Sequence, residues 1–131
     1  MDHHGRTTDG RWRLGTLALV AYVVALVVNR SLVDVQGASM EPALWAGDRL
    51  LTVPARRAWI RPGRVAVVAD PADPDHLVVK RLGATHRGAV EVLGDNPAAS
   101  TDSRSWGPVP LDAVRRIVIR RWPDLRTRLH R

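Results

Sequence analysis

An uncharged apolar run stands near the N-terminus, from Leu14 to Val28. At about 1.5 Å per residue a helix of this length measures roughly 22 Å, less than the roughly 30 Å hydrocarbon core of a bilayer. Continuation through Arg30 to Val33 lengthens the helix, because an arginine at its end can snorkel to the interface. We therefore predict a single transmembrane anchor over residues 14–33.

Two other interpretations of this run stay open, a cleaved signal peptide and a buried core helix. The residues after the run lack a convincing small-x-small cleavage site, which disfavours a signal peptide. Residues 1–13 are basic, and arginines before an anchor favour a cytoplasmic N-terminus. Residues 1–13 are then a cytoplasmic tail, and residues 34–131 lie on the extracytoplasmic side of the cell membrane. Arg30, on the far side, opposes this orientation.

Beyond the anchor the pattern changes to short apolar runs separated by turn signals. Turn residues stand at 47–48, 61–64 and 86–88, and residues 70–75 read as a loop because they hold two prolines and three aspartates. Short β-rich runs between such signals are typical of strands. The predicted strands are 49–53, 65–69, 77–82, 89–93 and 114–121, with residues 94–109 irregular. The fold class is mostly β, a small barrel or sandwich formed by residues 34–131.

Composition narrows the chemistry that is available to this chain. It has 131 residues, a net charge of +7 and no cysteine, which excludes disulfides and thiolate metal sites. No His, Asp and Glu cluster has the spacing of metal ligands, so we expect no metal site. The positive charge fits anionic lipid or nucleic acid equally well.

Ser39 lies at a bend, between small residues and a proline. Gly37 and Ala38 leave room for another backbone, and Pro42 prevents a regular helix or strand from continuing. A serine in this setting is accessible to an extended peptide and is a candidate nucleophile. An ordinary turn serine has the same local pattern.

Lys80 interrupts an apolar strand, and period-2 alternation places it on one face with Val78 and Leu82. Burial disfavours the ammonium form and lowers the pKa of a lysine, which then accepts a proton at ordinary pH. Such a neutral amine is what a serine hydroxyl needs when no histidine is suitably placed. The alternative is an exposed lysine on an edge strand.

The stretch 94–107 is long and is dense in side chains that hydrogen-bond their own backbone. Within it, Asp102 and Arg104 are spaced to pair and hold the loop. Long irregular loops in small domains are often functional, although an Asx-rich surface turn has the same composition.

Four motifs in this order resemble the type I signal peptidase family. They are Ser39-Met40-x-Pro42, Gly47-Asp48-x-Leu50, Lys80-Arg81, and Gly94-Asp95-Asn96 with Ser100-x-Asp102-Ser103-Arg104. The resemblance implies a membrane-anchored β-rich serine protease that needs no cofactor and cleaves exported precursor proteins after small residues.

The same resemblance implies a role for each matching residue. Ser39 looks like the nucleophile and Lys80 like the general base, with Ser100 orienting the lysine. Asp102 and Arg104 look like a supporting ion pair. The Ser39 N–H is then one half of an oxyanion hole, and Gly37 stands where some members carry a serine whose hydroxyl is the other half.

The chain is short for this family, and its compact form resembles proteases that mature nickel-containing superoxide dismutase. A general signal peptidase and a dedicated maturation protease both fit the sequence. The expected partners are precursor proteins and membrane lipid, without nucleic acid. Two rival functions remain, a self-cleaving regulator with a DNA-binding head and a non-catalytic basic β module that binds lipid or nucleic acid.

Overall fold

The computed structural model describes residues 9–129, and the chain divides into two units at the Ser31–Leu32 bond. The first unit contains helix α1, Asp9–Ser31. Of the helices in the described residues, this one is long and apolar enough over Arg11–Ser31 to cross a membrane. Residues 1–8 of the predicted tail lie outside the described residues.

Helix α1 differs from the predicted anchor at both ends. It begins at Asp9 rather than Leu14 and ends at Ser31, and the last two residues of the predicted span, Leu32 and Val33, belong to β1. Leu32 and Val33 face Leu51 and Leu50 across an antiparallel pair. Hydrogen bonding to a neighbouring strand, which hydropathy does not register, ends the helix two residues early.

The second unit is built on seven strands, and the predicted mostly β fold is confirmed. Their bounds are β1 Leu32–Asp34, β2 Arg49–Pro54, β3 Val65–Ala69, β4 Leu77–His86, β5 Ala89–Leu93, β6 Val109–Pro110 and β7 Val114–Trp122. They form one antiparallel sheet in the order β1-β2-β7-β3-β4-β5-β6. The sheet curls into a half-barrel rather than closing or stacking on a second sheet.

Alternating side chains from these strands form two apolar clusters. The larger cluster contains Ile60, Ala66, Val68, Leu82, Val90, Val92, Val109, Val114 and Ile117. The smaller one contains Val35, Met40, Leu44 and Leu50. Burying a side chain of this size contributes about 1.5–3 kcal/mol. Met40 therefore anchors the residue next to Ser39 in the protein interior.

The stretch 94–109, predicted to be irregular, contains regular structure. A 3₁₀ turn spans Pro97–Ala99, and helix α2 spans Ser103–Trp106. Asp102 caps α2, because its side chain accepts a hydrogen bond from the Arg104 N–H. Elements of three or four residues are too short to show a hydrophobic period, which is why the pattern missed them. Helix α3, Leu125–Arg128, was missed for the same reason.

Candidate active site

Ser39 lies in a loop of residues 36–47, which we call the serine loop. Its two ends are joined by hydrogen bonds, from the Val35 N–H to the Asp48 carbonyl (2.8 Å) and from the Gly47 N–H to the Val35 carbonyl (2.9 Å). Inside the loop, the Leu44 N–H donates to the Met40 carbonyl at 2.9 Å. The buried Met40 and Leu44 hold the loop against the smaller cluster.

A buried carboxylate fixes the base of the serine loop. The Asp48 side chain is 1% exposed and lies 2.8 Å from the Arg121 guanidinium on β7. Asp48 also accepts hydrogen bonds from the backbone N–H groups of Trp45 (3.0 Å) and Asp124 (2.9 Å). Arg121 in turn donates to the Ala43 carbonyl at 2.6 Å. The serine loop is therefore tied to the last strand at Ala43 and at its C-terminal end.

The tip of the serine loop is held from the other side, by the stretch 94–107. The Asn96 N–H donates to the Ser39 carbonyl at 2.9 Å, and the Asn96 side-chain amide donates to the Ala38 carbonyl at 3.1 Å. A Cβ at Gly94 would lie 2.6 Å from the Ser39 carbonyl oxygen and would also collide with Ser100. The lack of a side chain at Gly94 is what lets Ser39 and Ser100 approach the same point.

Lys80 lies on β4 with its side chain in the protein interior. The residue is 3% exposed and shares its face with the buried Leu82, as the alternation predicted. Its amine Nζ donates to the Ser100 hydroxyl at 2.9 Å. The edge-lysine alternative is therefore wrong, because an edge lysine would keep its amine in water.

Burial lowers the pKa of Lys80 from its ordinary value of 10.5. The negative charge of Asp102 acts in the opposite direction and the positive charge of Arg104 in the same direction, each less strongly than burial. A dry environment favours the neutral amine, which can accept a proton. Burial therefore makes the Lys80 ammonium easier to deprotonate than a lysine in water.

Asp102 lies next to this amine, with a side chain that is 1% exposed and hydrogen-bonded on both oxygens. It accepts from the Ser100 hydroxyl (2.6 Å), the Gly94 N–H (2.8 Å) and the Arg104 N–H (3.1 Å). The Arg104 guanidinium lies 3.3 Å away. Burial alone would raise the pKa of Asp102, but these hydrogen bonds and the Arg104 charge lower it below the ordinary value.

The hydrogen-bond direction through Ser100 follows from the ionised state of Asp102. A carboxylate can only accept, so the single hydroxyl proton of Ser100 points at Asp102. Ser100 is then left with lone pairs, and Lys80 must donate an N–H to it. This arrangement turns the amine in a defined direction.

A cleft of about 420 Å³ lies along the serine loop. One side is formed by β1 and residues 36–40 and the other by residues 76–79 of β4 and the turn before it, with Ala99 beside them. Gly37 stands at this cleft with φ of +73°, and a Cβ there would meet nothing within 4 Å. The room expected beside Ser39 is therefore present.

Residues 11–91 match the family described as "Signal peptidase, peptidase S26". The chain belongs to this family. The matched range includes Ser39 and Lys80 and ends before Ser100, so the resemblance noted from the motifs is confirmed at the family level. As a member, the chain is a signal peptidase-like protease, and its family processes precursor proteins.

Curated relatives agree with this membership. The chain is 33% identical to the mitochondrial ATP-independent inner membrane protease subunit 1a of Arabidopsis thaliana, over 71% of each chain. It is 31% identical to the mitochondrial inner membrane protease subunit 1 of Xenopus tropicalis, over 82% of this chain and 83% of the relative. The human protein of that name is 29% identical over 66% of each chain. No solved structure matches.

The structure brings together most of the predicted site residues. Lys80, Ser100, Asp102 and Arg104 form one chain of contacts, and the Ser39 backbone meets it at Gly94. Gly37 lies apart from that chain, at the cleft. Among the described residues no group of His, Asp and Glu is arranged to hold a metal ion.

Three neighbouring residues with positioning contacts were missed as site residues, although they stand in the Gly94-Asp95-Asn96 motif. Gly94 and Asn96 hold Ser39, as described above. Asp95 forms a two-point ion pair with Arg81 at 2.8 and 2.7 Å, which ties the stretch 94–107 to β4 one residue after Lys80. The usable signal was the Gly-Asp-Asn run itself, an unusual density of turn residues directly after a strand.

Proposed function

We propose that the protein is a membrane-anchored serine endopeptidase that removes leader peptides from precursor proteins, with Ser39 as nucleophile and Lys80 as general base. The observation that carries the proposal is that the buried Lys80 amine donates a hydrogen bond to Ser100. Ser100 and the Ser39 carbonyl both lie against Gly94. Burial lowers the pKa of Lys80, the direction that a general base requires, and the loop contacts hold the serine backbone in place.

The proposed reaction has two halves. The Ser39 hydroxyl attacks the scissile carbonyl while Lys80 takes its proton, and Lys80 then gives that proton to the departing amine. Water next attacks the acyl-enzyme, again losing a proton to Lys80, and Ser39 leaves with that proton. Ser100 acts as a positioning residue because its proton is committed to Asp102, so the lone pair of Lys80 turns away from it.

The negative oxygen of the tetrahedral intermediate needs donors. The Ser39 N–H is the candidate for one of them, and such donors are worth about 2.7–4 kcal/mol each. Gly37 has no hydroxyl to add. Gly37 has no side chain and nothing lies within 4 Å of where its Cβ would be, so the part of the cleft beside Gly37 is open to the substrate.

We propose that the substrate lies extended in the cleft beside β4. The β3 pairing covers one edge of residues 77–81, whereas the β5 pairing begins only at Arg81. Residues 77–79 thus offer a second edge to an added strand, next to Ser39. The lining is mostly Val, Ala and Gly, which favours small side chains before the scissile bond.

For topology we propose that α1 anchors the protein with residues from β1 onward on the extracytoplasmic side. Its described apolar stretch and the arginines at its N-terminal end, Arg11 and Arg13, support this orientation.

The test is cleavage of a precursor peptide by the purified full chain in detergent. We expect Lys80→Met to lower kcat by about 10²- to 10⁴-fold, the range for general acid–base catalysis, and Ser39→Ala to lower it at least as much. Ser105→Ala, an exposed serine in α2, is the matched control and should cleave normally. Wild-type rates for either site variant, with correct folding, would eliminate the proposal.

A further inference from the structure

We infer that the cleft selects a cationic side chain, arginine or lysine, at the fourth residue before the scissile bond of the precursor. The inference rests on the proposed peptidase function and on the placement of the substrate beside residues 77–79. It assigns the selection to Asp34 on one wall of the cleft and to the pair of His76 and Asp70 on the other. These residues act on the choice of substrate and take no part in breaking the peptide bond.

The cleft differs in charge from the chain as a whole. The chain has 20 lysine and arginine residues against 13 acidic ones, a net charge of +7. Apart from the buried Lys80, the ionisable side chains among the described residues at the cleft are Asp34 and His76. None of the arginines is among the described residues that line it. A cationic substrate residue therefore meets no exposed like charge on the described walls of the cleft.

A short loop, residues 70–76, fixes His76 at its wall of the cleft. The Asp70 N–H donates to the His76 carbonyl at 2.9 Å and closes the loop, and the His76 N–H donates to the Asp73 carbonyl at 2.8 Å. The Asp70 carboxylate accepts from the Ala72 N–H at 2.8 Å. Its other oxygen lies 3.6 Å from His76 Nδ1, and the Asp70 side chain is 19% exposed. The negative charge of Asp70 is therefore held in a fixed place beside His76.

The contact with Asp70 determines what His76 can offer a substrate. A carboxylate only accepts hydrogen bonds, so Nδ1, the imidazole nitrogen that faces it, is the one that carries the proton. The neutral imidazole then has Nε2, on the opposite side of the ring, as an acceptor. In this state the pair has one net negative charge. Both features favour a positively charged donor and disfavour a carboxylate.

Asp34, on the opposite wall, can exchange its present partner for a substrate cation. It lies on β1 with a side chain that is 61% exposed, and its Oδ1 is 3.0 Å from Nε of Arg49, which is 59% exposed. An ion pair as exposed as this contributes little to stability, so Asp34 can turn from Arg49 at low cost. A substrate cation between Asp34 and Asp70 then has negative charge on both sides.

The spacing along β4 determines which substrate residue is selected. Lys80 marks the level of the scissile bond, because in the proposed reaction it exchanges protons with Ser39 and the departing amine. His76 precedes Lys80 by four residues, or about 13 Å of extended chain. A substrate strand beside residues 77–79 advances one residue for each residue of β4. Its fourth residue before the scissile bond therefore lies at His76.

The test uses the purified full chain in detergent and three precursor peptides that differ only at the fourth residue before the scissile bond, which is Arg, Gln or Glu. We expect kcat/KM to fall in that order, with the Arg peptide about fivefold above the Glu peptide, the upper range for one exposed ion pair. Salt should reduce the ratio, because it screens exposed charges. With the same three residues placed at the fourth position after the scissile bond, the order should disappear.

Variants assign the preference to named residues. Asp34→Asn and Asp70→Asn should each reduce the Arg-to-Glu ratio, and Asp34→Lys should reverse it. Asp112→Asn, the same charge change at an exposed aspartate outside the cleft, is the matched control and should keep the ratio. The ratio is compared rather than the rate, because the charge of Asp70 also acts on Lys80.

The outcomes separate this inference from the proposed function. Equal cleavage of the three peptides by the wild-type protein would overturn the inference and leave the peptidase proposal intact. A ratio unchanged in both asparagine variants, or reduced as much by Asp112→Asn, would also overturn it. Cleavage of none of the peptides by folded protein would refute the peptidase proposal and this inference together.

Discussion

Asp48 and Asp102 are both buried aspartates, each 1% exposed, and both accept backbone N–H groups and contact an arginine. The two carboxylates differ in their other neighbours. Asp48 is enclosed by Arg121 and the backbone of the serine loop, whereas Asp102 also accepts a hydrogen bond from the Ser100 hydroxyl and lies near the buried Lys80.

The difference separates two uses of the same buried group. The contacts of Asp48 close a loop, so removing Asp48 should first cost stability. The contacts of Asp102 set the hydrogen-bond direction through Ser100, so disturbing that chain should first cost activity. Buried carboxylates in one small domain are therefore not equivalent, and their neighbours distinguish them better than their burial does.

The largest effect on stability is expected from Asp48→Ala. The variant leaves the Arg121 guanidinium, which is 28% exposed, without its carboxylate. Removing one partner of a buried ion pair costs about 3–5 kcal/mol, and the partial exposure of Arg121 favours the lower end. Urea unfolding of the full chain in detergent measures the loss, and Asp112→Ala, an exposed aspartate, is the control. A loss of stability no larger than that of the control would contradict the structural role of Asp48.

Ser100→Ala should have the opposite profile, a fall in activity with little change in fold. Without the hydroxyl, Lys80 loses its oriented acceptor while Asp102 keeps its bonds from Gly94 and Arg104. We expect kcat to drop by up to about 100-fold, the scale for a misplaced catalytic group, with KM for a precursor peptide unchanged. Steady-state kinetics checks this. A change confined to KM would assign Ser100 to substrate binding and contradict the positioning role.

The sequence predicts the strands of the sheet better than it predicts the contacts of the site. Val65–Ala69 and Ala89–Leu93 match the predicted strands residue for residue, because turn signals bound both runs. Strand β4 extends to His86 rather than Leu82, since pairing with β5 continues past a register shift after Leu82. That continuation depends on a partner strand and leaves no trace in local propensity.

The site could be predicted residue by residue only through the motifs. Spacing does not reveal that the Asn96 amide reaches Ala38, 58 positions away, or that Gly94 is where Ser39 and Ser100 meet. Those contacts arise from the curl of the sheet, which brings the loops after β1 and β5 to one place. The burial of Lys80 likewise depends on packing from several strands. Alternation along β4 predicted only the face of the strand on which its side chain lies.

The smallest effect, and the most direct test of the difference between the two aspartates, is the titration of Lys80. It is the chain's single lysine, so protein labelled with ¹³C-lysine has one side-chain signal to follow by NMR. We expect it to titrate below 10.5, because burial outweighs the charge of Asp102. Asp48→Asn should leave the midpoint unchanged, whereas Asp102→Asn, which removes a nearby negative charge, should lower it further. A midpoint at or above 10.5 would contradict the neutral-base proposal.

The same shift has a consequence for stability whose sign is fixed. Because the pKa of Lys80 is lower in the folded state, the unfolded chain binds more protons between that value and 10.5, so the Lys80 contribution to stability rises with pH there. Lys80→Met lacks that rise. Its unfolding free energy should therefore exceed the wild-type value by most at pH below the folded pKa, and the excess should shrink as the pH approaches 10.5. Urea unfolding of both proteins across this range measures the excess. An excess that grows with pH would mean that the folded protein binds the lysine proton more tightly than the unfolded chain does.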